Sequence, residues 1–226
     1  MAKTMNKLMK KIFIFYFSAF IVIFLLLFLP AGSLYYWQGW IYFITIFITM
    51  IFIVSYFWKY DQQLLERRMK YKETVAKQTF IQIVGGISFF IVFIVAGLDY
   101  RYHWSNVPIL VVIISDLIVF LGYLFVFFVF RENSYASRII EVEREQKVIT
   151  TGSYAIVRHP MYLGVLLMYL FTPLALGSYW AIIFFLPLIP LIVIRIQEEE
   201  KYLLETLSGY KEYCQKTKYH LVPFIW

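Results

Sequence analysis

Residues 151–160 read Thr-Gly-Ser-Tyr-Ala-Ile-Val-Arg-His-Pro, and this polar turn opens the stretch that decides the fold. Two uncharged, apolar segments follow between Met161 and Ile194, and the sequence Arg195-Ile196-Gln197-Glu198-Glu199-Glu200 closes the stretch. The pattern predicts a helical hairpin in a membrane, with a histidine, arginines and carboxylates gathered at one face. Charged groups beside hydrocarbon are costly, so such a cluster indicates a functional site.

The composition of the whole chain also indicates a membrane protein. Of its 226 residues, 62% are hydrophobic and only 15% are charged, which is too apolar for an ordinary soluble domain. The single cysteine, Cys214, has no partner for an internal disulfide, and the three histidines are scattered, so we expect no metal site.

Six apolar segments are candidates for membrane spans. A helix needs roughly 20 apolar residues to cross about 30 Å of hydrocarbon. The six segments cover residues 13–29, 36–58, 80–98, 107–130, 161–176 and 179–194. The first one is longer than the usual core of a signal peptide, so we expect the mature protein to retain it.

Positive charge is strongly biased to one side of these segments. Of the 21 lysines and arginines, only Arg101 would lie on the opposite side; the others fall in residues 1–12, 59–79, 131–160 and 195–226. This bias predicts six spans with both termini in the cytoplasm. It explains the net charge of +7 by topology and contact with membrane lipids, so we expect no nucleic-acid partner.

The connector at residues 59–79 has apolar side chains near helical spacing, namely Leu64, Leu65, Met69 and Val75. It is either an amphipathic helix on the membrane surface or a solvated connecting helix. Two features of the spans are also notable. Gly85-Gly86 is predicted to allow close helix contact, and Asp116 either links helices or takes part in catalysis, with the structural role favoured.

The residues around the hairpin suggest how a site could form. Pro160 suits the first turn of a helix, and Gly152 allows a tight loop that could approach a ligand closely. Arg195 and Glu199 are four residues apart and therefore share one helix face. From this spacing alone, an ordinary surface ion pair is the favoured interpretation of the two side chains.

Two motifs resemble the isoprenylcysteine carboxyl methyltransferase family. They are Gly152-x-Tyr154-x-x-x-Arg158-His159-Pro160-x-Tyr162-x-Gly164 and Arg195-x-x-x-Glu199-Glu200-x-x-Leu203. The tail is similar to the end of that family, with Tyr210-x-x-Tyr213 and Leu221-Val222-Pro223-Phe224-Ile225. The resemblance covers roughly residues 130–226, and the family is related to membrane phospholipid N-methyltransferases.

The resemblance implies an all-α integral membrane methyltransferase that uses S-adenosylmethionine in a pocket facing the cytoplasm. Residues 1–130 would form a four-span membrane region that includes the connector. Residues 131–226 would form the methyltransferase core, with a cytoplasmic loop, the helical hairpin and a C-terminal cytoplasmic helix.

The resemblance also implies the site residues. The cofactor-binding residues would be Gln146, Lys147, Val148, Ile149, Tyr154, His159, Pro160, Met161, Tyr162 and Glu199. Arg195 and Glu199 would be catalytic, with Arg195 facing the substrate. Glu198 is an additional carboxylate, but the four-residue spacing from Arg195 favours Glu199 as the cofactor contact.

The implied substrate is the carboxylate of an isoprenylcysteine-like or other lipidic molecule, which Arg195 could orient through its planar guanidinium. An amine-bearing phospholipid and a small thiol are alternative methyl acceptors. A non-enzymatic membrane carrier is the remaining alternative, although a carrier does not require the Arg-His-Pro loop.

Overall fold

The computed structural model describes residues 2–70 and 76–226, and this part of the chain is a bundle of α-helices. Its helices are α1 (Ala2–Ala31), α2 (Trp37–Tyr60), α3 (Gln62–Arg68), α4 (Ala76–Tyr102), α5 (Ile109–Glu132), α6 (Pro160–Ala175), α7 (Leu188–Thr206) and α8 (Tyr210–Lys216). Two short 3-10 helices, Gly152–Ala155 and Trp180–Phe184, precede α6 and α7. The all-α class predicted from the sequence is confirmed over these residues.

Within residues 2–70 and 76–226, five helical stretches are long and apolar enough to cross a membrane. They are Lys7–Ala31, Trp37–Tyr60, Lys77–Tyr102, Ile109–Glu132 and Trp180–Thr206. The prediction of an integral membrane protein agrees with these stretches, although six spans were expected. The remaining candidate, the predicted fifth span, is α6, which has 16 residues. At 1.5 Å per residue it rises about 24 Å, which is less than the roughly 30 Å of a hydrocarbon core.

The apolar spacing of Ile196, Leu203, Leu204 and Leu207 predicts one helix from Arg195 to Thr217, but the structure breaks this region into two helices. Helix α7 ends at Thr206, and Gly209 adopts a left-handed conformation with φ of 83° before α8 begins. Side chains other than glycine rarely adopt this conformation. The break turns α8 away from the direction of α7, so that both helices can border one cavity.

The connector between α2 and α4 packs on the protein. Leu64, Leu65 and Met69 are buried, in one apolar cluster with Phe57 of α2. The apolar face of α3 is therefore directed at the bundle rather than at lipid or water. Val75, the last apolar residue of the predicted pattern, lies outside the described residues.

Helices α5 and α6 approach closely at two glycines. A Cβ atom on Gly122 would lie 2.7 Å from Cγ of Met168, and one on Gly164 would meet an α5 side chain at 2.6 Å. This contact fixes the start of α6 against α5, which positions the Arg-His-Pro motif. The close contact predicted at Gly85-Gly86 is wrong. A Cβ on Gly85 would lie 3.8 Å from Cδ2 of Leu188, which is ordinary van der Waals contact, and one on Gly86 would meet nothing within 4 Å in the described part of the chain.

Asp116 links two helices. The Thr45 hydroxyl on α2 donates a hydrogen bond to Oδ2 of the buried Asp116 on α5, at 2.6 Å. This interhelical contact is the one that the structural interpretation of Asp116 predicted.

Candidate active site

A solvent-open cavity of about 800 Å³ lies where α5, α6 and α7 meet the loop of residues 133–149 and helix α8. Nine of the ten predicted cofactor-binding residues line it, namely Gln146, Lys147, Val148, Ile149, Tyr154, His159, Met161, Tyr162 and Glu199. The tenth, Pro160, is buried at the first position of α6. Arg195 lies behind the wall of the cavity, where it contacts Tyr162.

The turn that carries Tyr154 is fixed to the end of α5. Gly152 has a φ of 57°, and a Cβ atom there would lie 2.2 Å from Oε1 of Glu132. The backbone and hydroxyl of Ser153 both donate to Oε2 of Glu132, at 2.9 and 2.6 Å. Asn133 Nδ2 donates to the Tyr154 hydroxyl at 2.9 Å. Glycine is therefore required at position 152 so that the carboxylate can approach the turn.

A buried ion pair between Arg158 and Glu200 connects the Arg-His-Pro motif to α7. Arg158 donates to both carboxylate oxygens of Glu200, through Nε at 2.6 Å and Nη2 at 3.2 Å. His159 Nε2 lies 3.1 Å from Oε1 of the same carboxylate. Arg158 and Glu200 are each 8% exposed. Neither is among the predicted cofactor-binding or catalytic residues, although both belong to the quoted motifs.

The C-terminal tail is held on the same motif. The backbone N–H groups of Arg158 and His159 donate to the carbonyls of Tyr219 and His220, each at 2.9 Å. Arg158 Nη1 also donates to the Thr217 carbonyl at 2.8 Å. His220 stacks on Trp226, with ring centroids 4.6 Å apart. These contacts give Arg158 a role in joining the loop, α7 and the tail.

Tyr162 connects the two residues that the sequence analysis proposed as catalytic. Its hydroxyl donates to Oε2 of Glu199 at 2.7 Å and accepts from Nε of Arg195 at 2.8 Å. Arg195 also donates to Oε1 of Gln78 at 2.7 Å and to the Arg138 carbonyl at 2.9 Å. Glu199 and Arg195 do share a face of α7, but a hydroxyl joins them where the spacing had favoured an ion pair.

The three consecutive glutamates have three different partners. Glu198 pairs with Lys77 at the surface, Glu199 accepts from Tyr162 at the cavity, and Glu200 accepts from Arg158 in the interior. Successive residues on an α-helix point about 100° apart, which follows from 3.6 residues per turn. The run of carboxylates therefore serves three surroundings, and Glu199 is the one that lines the cavity.

Several cavity residues were absent from the predicted set. They include Leu203, Leu207, Tyr210 and Tyr213. The four-residue spacing of Glu199, Leu203 and Leu207 places them along one face of α7, which is a signal that the sequence contained. The tyrosines lie on α8, and their position depends on the break at Gly209, which the apolar spacing did not predict.

Burial raises the pKa of the Tyr154 and Tyr210 hydroxyls above the ordinary value. The negative charge of Glu199 raises the pKa of Tyr154 further, and those of Glu200 and Glu199 raise the pKa of Tyr210 further. Both hydroxyls are therefore protonated at neutral pH. They can act as hydrogen-bond donors beside the cavity.

The helices that carry this site match a known protein family. Residues 111–205 match the family described as isoprenylcysteine carboxyl methyltransferase (ICMT). The matched range runs from α5 to α7 and contains the Arg-His-Pro motif, Tyr162, Arg195 and Glu199. The region that carries the candidate site is therefore similar to isoprenylcysteine carboxyl methyltransferases, as the two motifs predicted. This similarity identifies a membrane methyltransferase rather than a carrier.

One solved structure similar to this methyltransferase is that of the eukaryotic intramembrane Ras methyltransferase ICMT. The two share 19% sequence identity with a TM-score of 0.48, over 94% of this chain and 85% of that chain. The similarity to the isoprenylcysteine carboxyl methyltransferase family rests on the match over residues 111–205.

Proposed function

We propose that the protein transfers a methyl group from S-adenosylmethionine to the carboxylate of an isoprenylcysteine-like or other lipidic substrate. The observation that carries this proposal is the chain of contacts from Arg195 through Tyr162 to Glu199. Arg195 is a cation that can bind the substrate carboxylate, and Glu199 is a carboxylate that can bind the positively charged cofactor. The two are held on either side of one hydroxyl.

The cavity residues fit the proposed cofactor. Tyr210 lines the cavity, and its buried hydroxyl has no hydrogen-bond partner among residues 2–70 and 76–226. Buried polar groups without partners are rare, so this hydroxyl supports a ligand at this position.

Glu199 would hold the positively charged or hydroxyl-bearing part of the cofactor. Its Oε2 accepts from Tyr162, while no hydrogen bond to Oε1 occurs in the described part of the chain. The backbone of residues 146–149 and the ring of Tyr154 would form the opposite wall. When bound, S-adenosylmethionine supplies a methyl group on a positively charged sulfur, which a carboxylate oxygen can take by direct displacement.

Arg195 would hold the substrate carboxylate. A carboxylate is already ionised at neutral pH, so it needs orientation rather than a base. The guanidinium can orient both oxygens, and Tyr162 keeps it close to the cofactor side of the wall. An amine acceptor would need a proton acceptor instead. His159 and Glu200 are candidate proton acceptors. However, Glu200 accepts a hydrogen bond from Arg158, and His159 Nε2 lies within hydrogen-bond distance of Glu200.

We also propose the topology that the charge bias predicts. In it, six helices cross the membrane, α6 is the short fifth span, and both termini, the cavity and α8 are cytoplasmic. Residues 1–130 are proposed as the membrane region and residues 131–226 as the methyltransferase core. A reporter that is active only in the cytoplasm, fused after Trp226, should give signal. Activity of a reporter specific for the other side would contradict this orientation.

The proposed activity is tested by transfer of labelled methyl from S-adenosylmethionine to two acceptors, an S-prenylcysteine and an amine-bearing phospholipid. We expect label in the prenylcysteine and release of labelled methanol on treatment with base, because the product is an ester. Label that enters only the phospholipid and resists base would contradict the carboxylate assignment and favour the N-methyltransferase alternative.

A further inference from the structure

Arg68, at the end of α3, is a partly buried cation that makes only uncharged contacts with the residues that the structure describes. Its Nη1 donates to the Ser137 carbonyl at 3.1 Å and lies 3.7 Å from Sδ of Met161. Its guanidinium lies 4.9 Å from the centre of the Phe130 ring. None of the ion pairs formed within residues 2–70 and 76–226 includes Arg68. An arginine stays charged at any physiological pH, so this position favours an anion.

The preceding residue makes the contrast clear. Arg67 donates to both oxygens of Glu143, at 2.8 and 2.6 Å, and is therefore paired within the protein. Burial lowers the pKa of the Arg68 guanidinium, and the positive charges of Arg138 and Arg195 lower it further, against an opposing effect of Tyr162. The protein thus places Arg68 among other cations.

Arg68 and Arg195 reach the same wall of the active site. Arg68 contacts Ser137 and Met161, whereas Arg195 contacts the next residue in each case, Arg138 and Tyr162. Ser137 and Met161 both line the cavity. The two guanidinium groups therefore donate to consecutive backbone carbonyls, so an anion bound beside residues 137 and 138 could contact both.

A buried amide provides an independent observation at the same place. Gln78 is 0% exposed, and its Oε1 accepts from Nη1 of Arg195. Arginine carries only donors, so this contact identifies which atom of the amide is the oxygen. The nitrogen, Nε2, is buried and has no hydrogen-bond partner in the described part of the chain. Burial of a donor without a partner is unfavourable and indicates an acceptor that belongs there.

We propose that Arg68, Gln78 and Arg195 form one recess that binds the carboxylate of the substrate beside the cofactor cavity. A carboxylate has two oxygens with about four acceptor positions, which suits two guanidinium groups and one amide N–H. The inference rests on the proposed function and extends it, because it assigns two further residues to the substrate. It also gives a physical reason for excluding amine acceptors, which two cations would repel.

The recess distinguishes substrate from product. When a carboxylate oxygen gains the methyl group it loses its negative charge, and the neutral ester no longer attracts the two cations. Arg68 therefore stabilises the bound carboxylate more than the transition state, in which that charge is already decreasing. Loss of Arg68 should accordingly raise KM without lowering kcat.

The test compares binding of an S-prenylcysteine acid with binding of its methyl ester, measured by calorimetry in micelles. We expect the wild type to bind the acid at least about tenfold more tightly than the ester, as for a gain of one charge-assisted hydrogen bond. Arg68→Met should lose that preference while its ester affinity is unchanged, and Arg68→Lys should keep part of it. Gln78→Glu keeps the acceptor for Arg195 and should weaken acid binding alone.

Arg131→Met is the matched control, because Arg131 is an exposed cation that stacks on Tyr56 and should not affect either affinity. Titration with S-adenosylmethionine checks that each variant is folded. If Arg68→Met does not fold, Arg68→Lys and Gln78→Glu are sufficient for the test. Equal binding of acid and ester by the wild type, or unchanged acid binding in the folded Arg68 variants, would overturn the recess.

Failure of the proposed function would give a different experimental result from failure of the recess. If the acid binds through Arg68 but no ester forms in the presence of S-adenosylmethionine, the methyl acceptor is wrong while the recess stands. If an ester forms with the same KM in the wild type and in Arg68→Met, the function stands and the recess is wrong.

Discussion

Glu199 and Glu200 are neighbours on α7, yet they lie in opposite kinds of environment. Glu200 is buried and receives two hydrogen bonds from Arg158 as well as contacts from His159 and His220. Glu199 faces the cavity, and its Oε2 accepts a hydrogen bond from the Tyr162 hydroxyl. A carboxylate whose partners all come from the protein stabilises the fold, whereas a carboxylate with an oxygen left for other partners can bind a ligand.

The arginines of the two motifs differ in the same way. Arg158 joins Glu200 to the backbone of the C-terminal tail. Arg195 donates to the Tyr162 hydroxyl, the Gln78 side-chain oxygen and the Arg138 carbonyl at the wall of the cavity. We therefore expect substitutions around Arg158 to affect folding and substitutions around Arg195 to affect turnover.

The largest expected effect follows from Glu200→Gln, which leaves the buried Arg158 without its anion. Breaking a buried ion pair of this kind costs about 3–5 kcal/mol of unfolding free energy. Thermal unfolding in detergent should therefore shift to a much lower temperature. Glu198→Gln is the control, because Glu198 pairs with Lys77 at the surface and should unfold like the wild type. Equal unfolding of the two variants would contradict the structural role of Glu200.

Arg195→Gln should leave unfolding nearly unchanged and reduce methyl transfer to a prenylcysteine by about 10- to 100-fold, as for loss of a charged hydrogen bond. Arg195→Lys keeps the charge but not the planar fork, so it should retain part of the turnover. Initial rates at saturating cofactor measure both variants. A stability loss as large as that of Glu200→Gln would place Arg195 in the same structural class as Arg158.

Glu199→Gln should weaken S-adenosylmethionine binding by about 1–3 kcal/mol with little effect on unfolding, because a charge-assisted contact to the cofactor is lost. Calorimetric titration measures the affinity, and we expect one site per chain. Unchanged affinity would remove Glu199 from the cofactor site.

Tyr162→Phe should have a smaller effect, weakening cofactor binding and substrate binding by about 1 kcal/mol each, since one neutral hydroxyl is removed. Both the cofactor affinity and the KM for the substrate should change, because the hydroxyl contacts both Glu199 and Arg195. Steady-state kinetics and calorimetry on one preparation would test this. A change confined to one of the two quantities would show that Tyr162 does not couple them.

The smallest expected effect is a pH dependence of stability from His220. Burial lowers the pKa of this imidazole below its ordinary value of about 6.5, although Glu200 opposes the shift and Arg158 and His159 add to it. A group whose folded pKa is depressed contributes stability above its unfolded pKa, and this contribution is lost as the pH falls through the folded pKa. The wild type should therefore lose more thermal stability than His220→Gln between about pH 7.5 and 5.5. Equal losses would exclude His220 as the cause.

Much of the fold could be predicted because it depends on local pattern. Apolar run length indicated the long helices, and Pro160 correctly suggested the start of α6. The four-residue spacing of Arg195 and Glu199 correctly placed them on one face. What the pattern could not supply was the contact across elements, so the hydroxyl of Tyr162 between them was missed.

The same reason explains the other omissions. Gly122 and Gly164 lie on different helices, and nothing local distinguishes them from Gly85-Gly86, where the predicted contact was wrong. Arg158, Glu200 and the tail meet only because the chain returns to the motif after α8. Family resemblance assigned roles to Arg195 and Glu199, but burial and partners distinguish Glu199 from Glu200.

The assignment of Arg195 to a substrate carboxylate is tested most directly by the pH dependence of turnover. Rates of the wild type and of Arg195→Gln with a prenylcysteine acceptor should be measured from about pH 6.5 to 9. A carboxylate with a pKa near 4 is ionised throughout this range, so we expect flat profiles, with that of the variant lower by a constant factor. A profile that rises with pH, with near-normal turnover in Arg195→Gln, would contradict carboxylate methylation and indicate an amine acceptor.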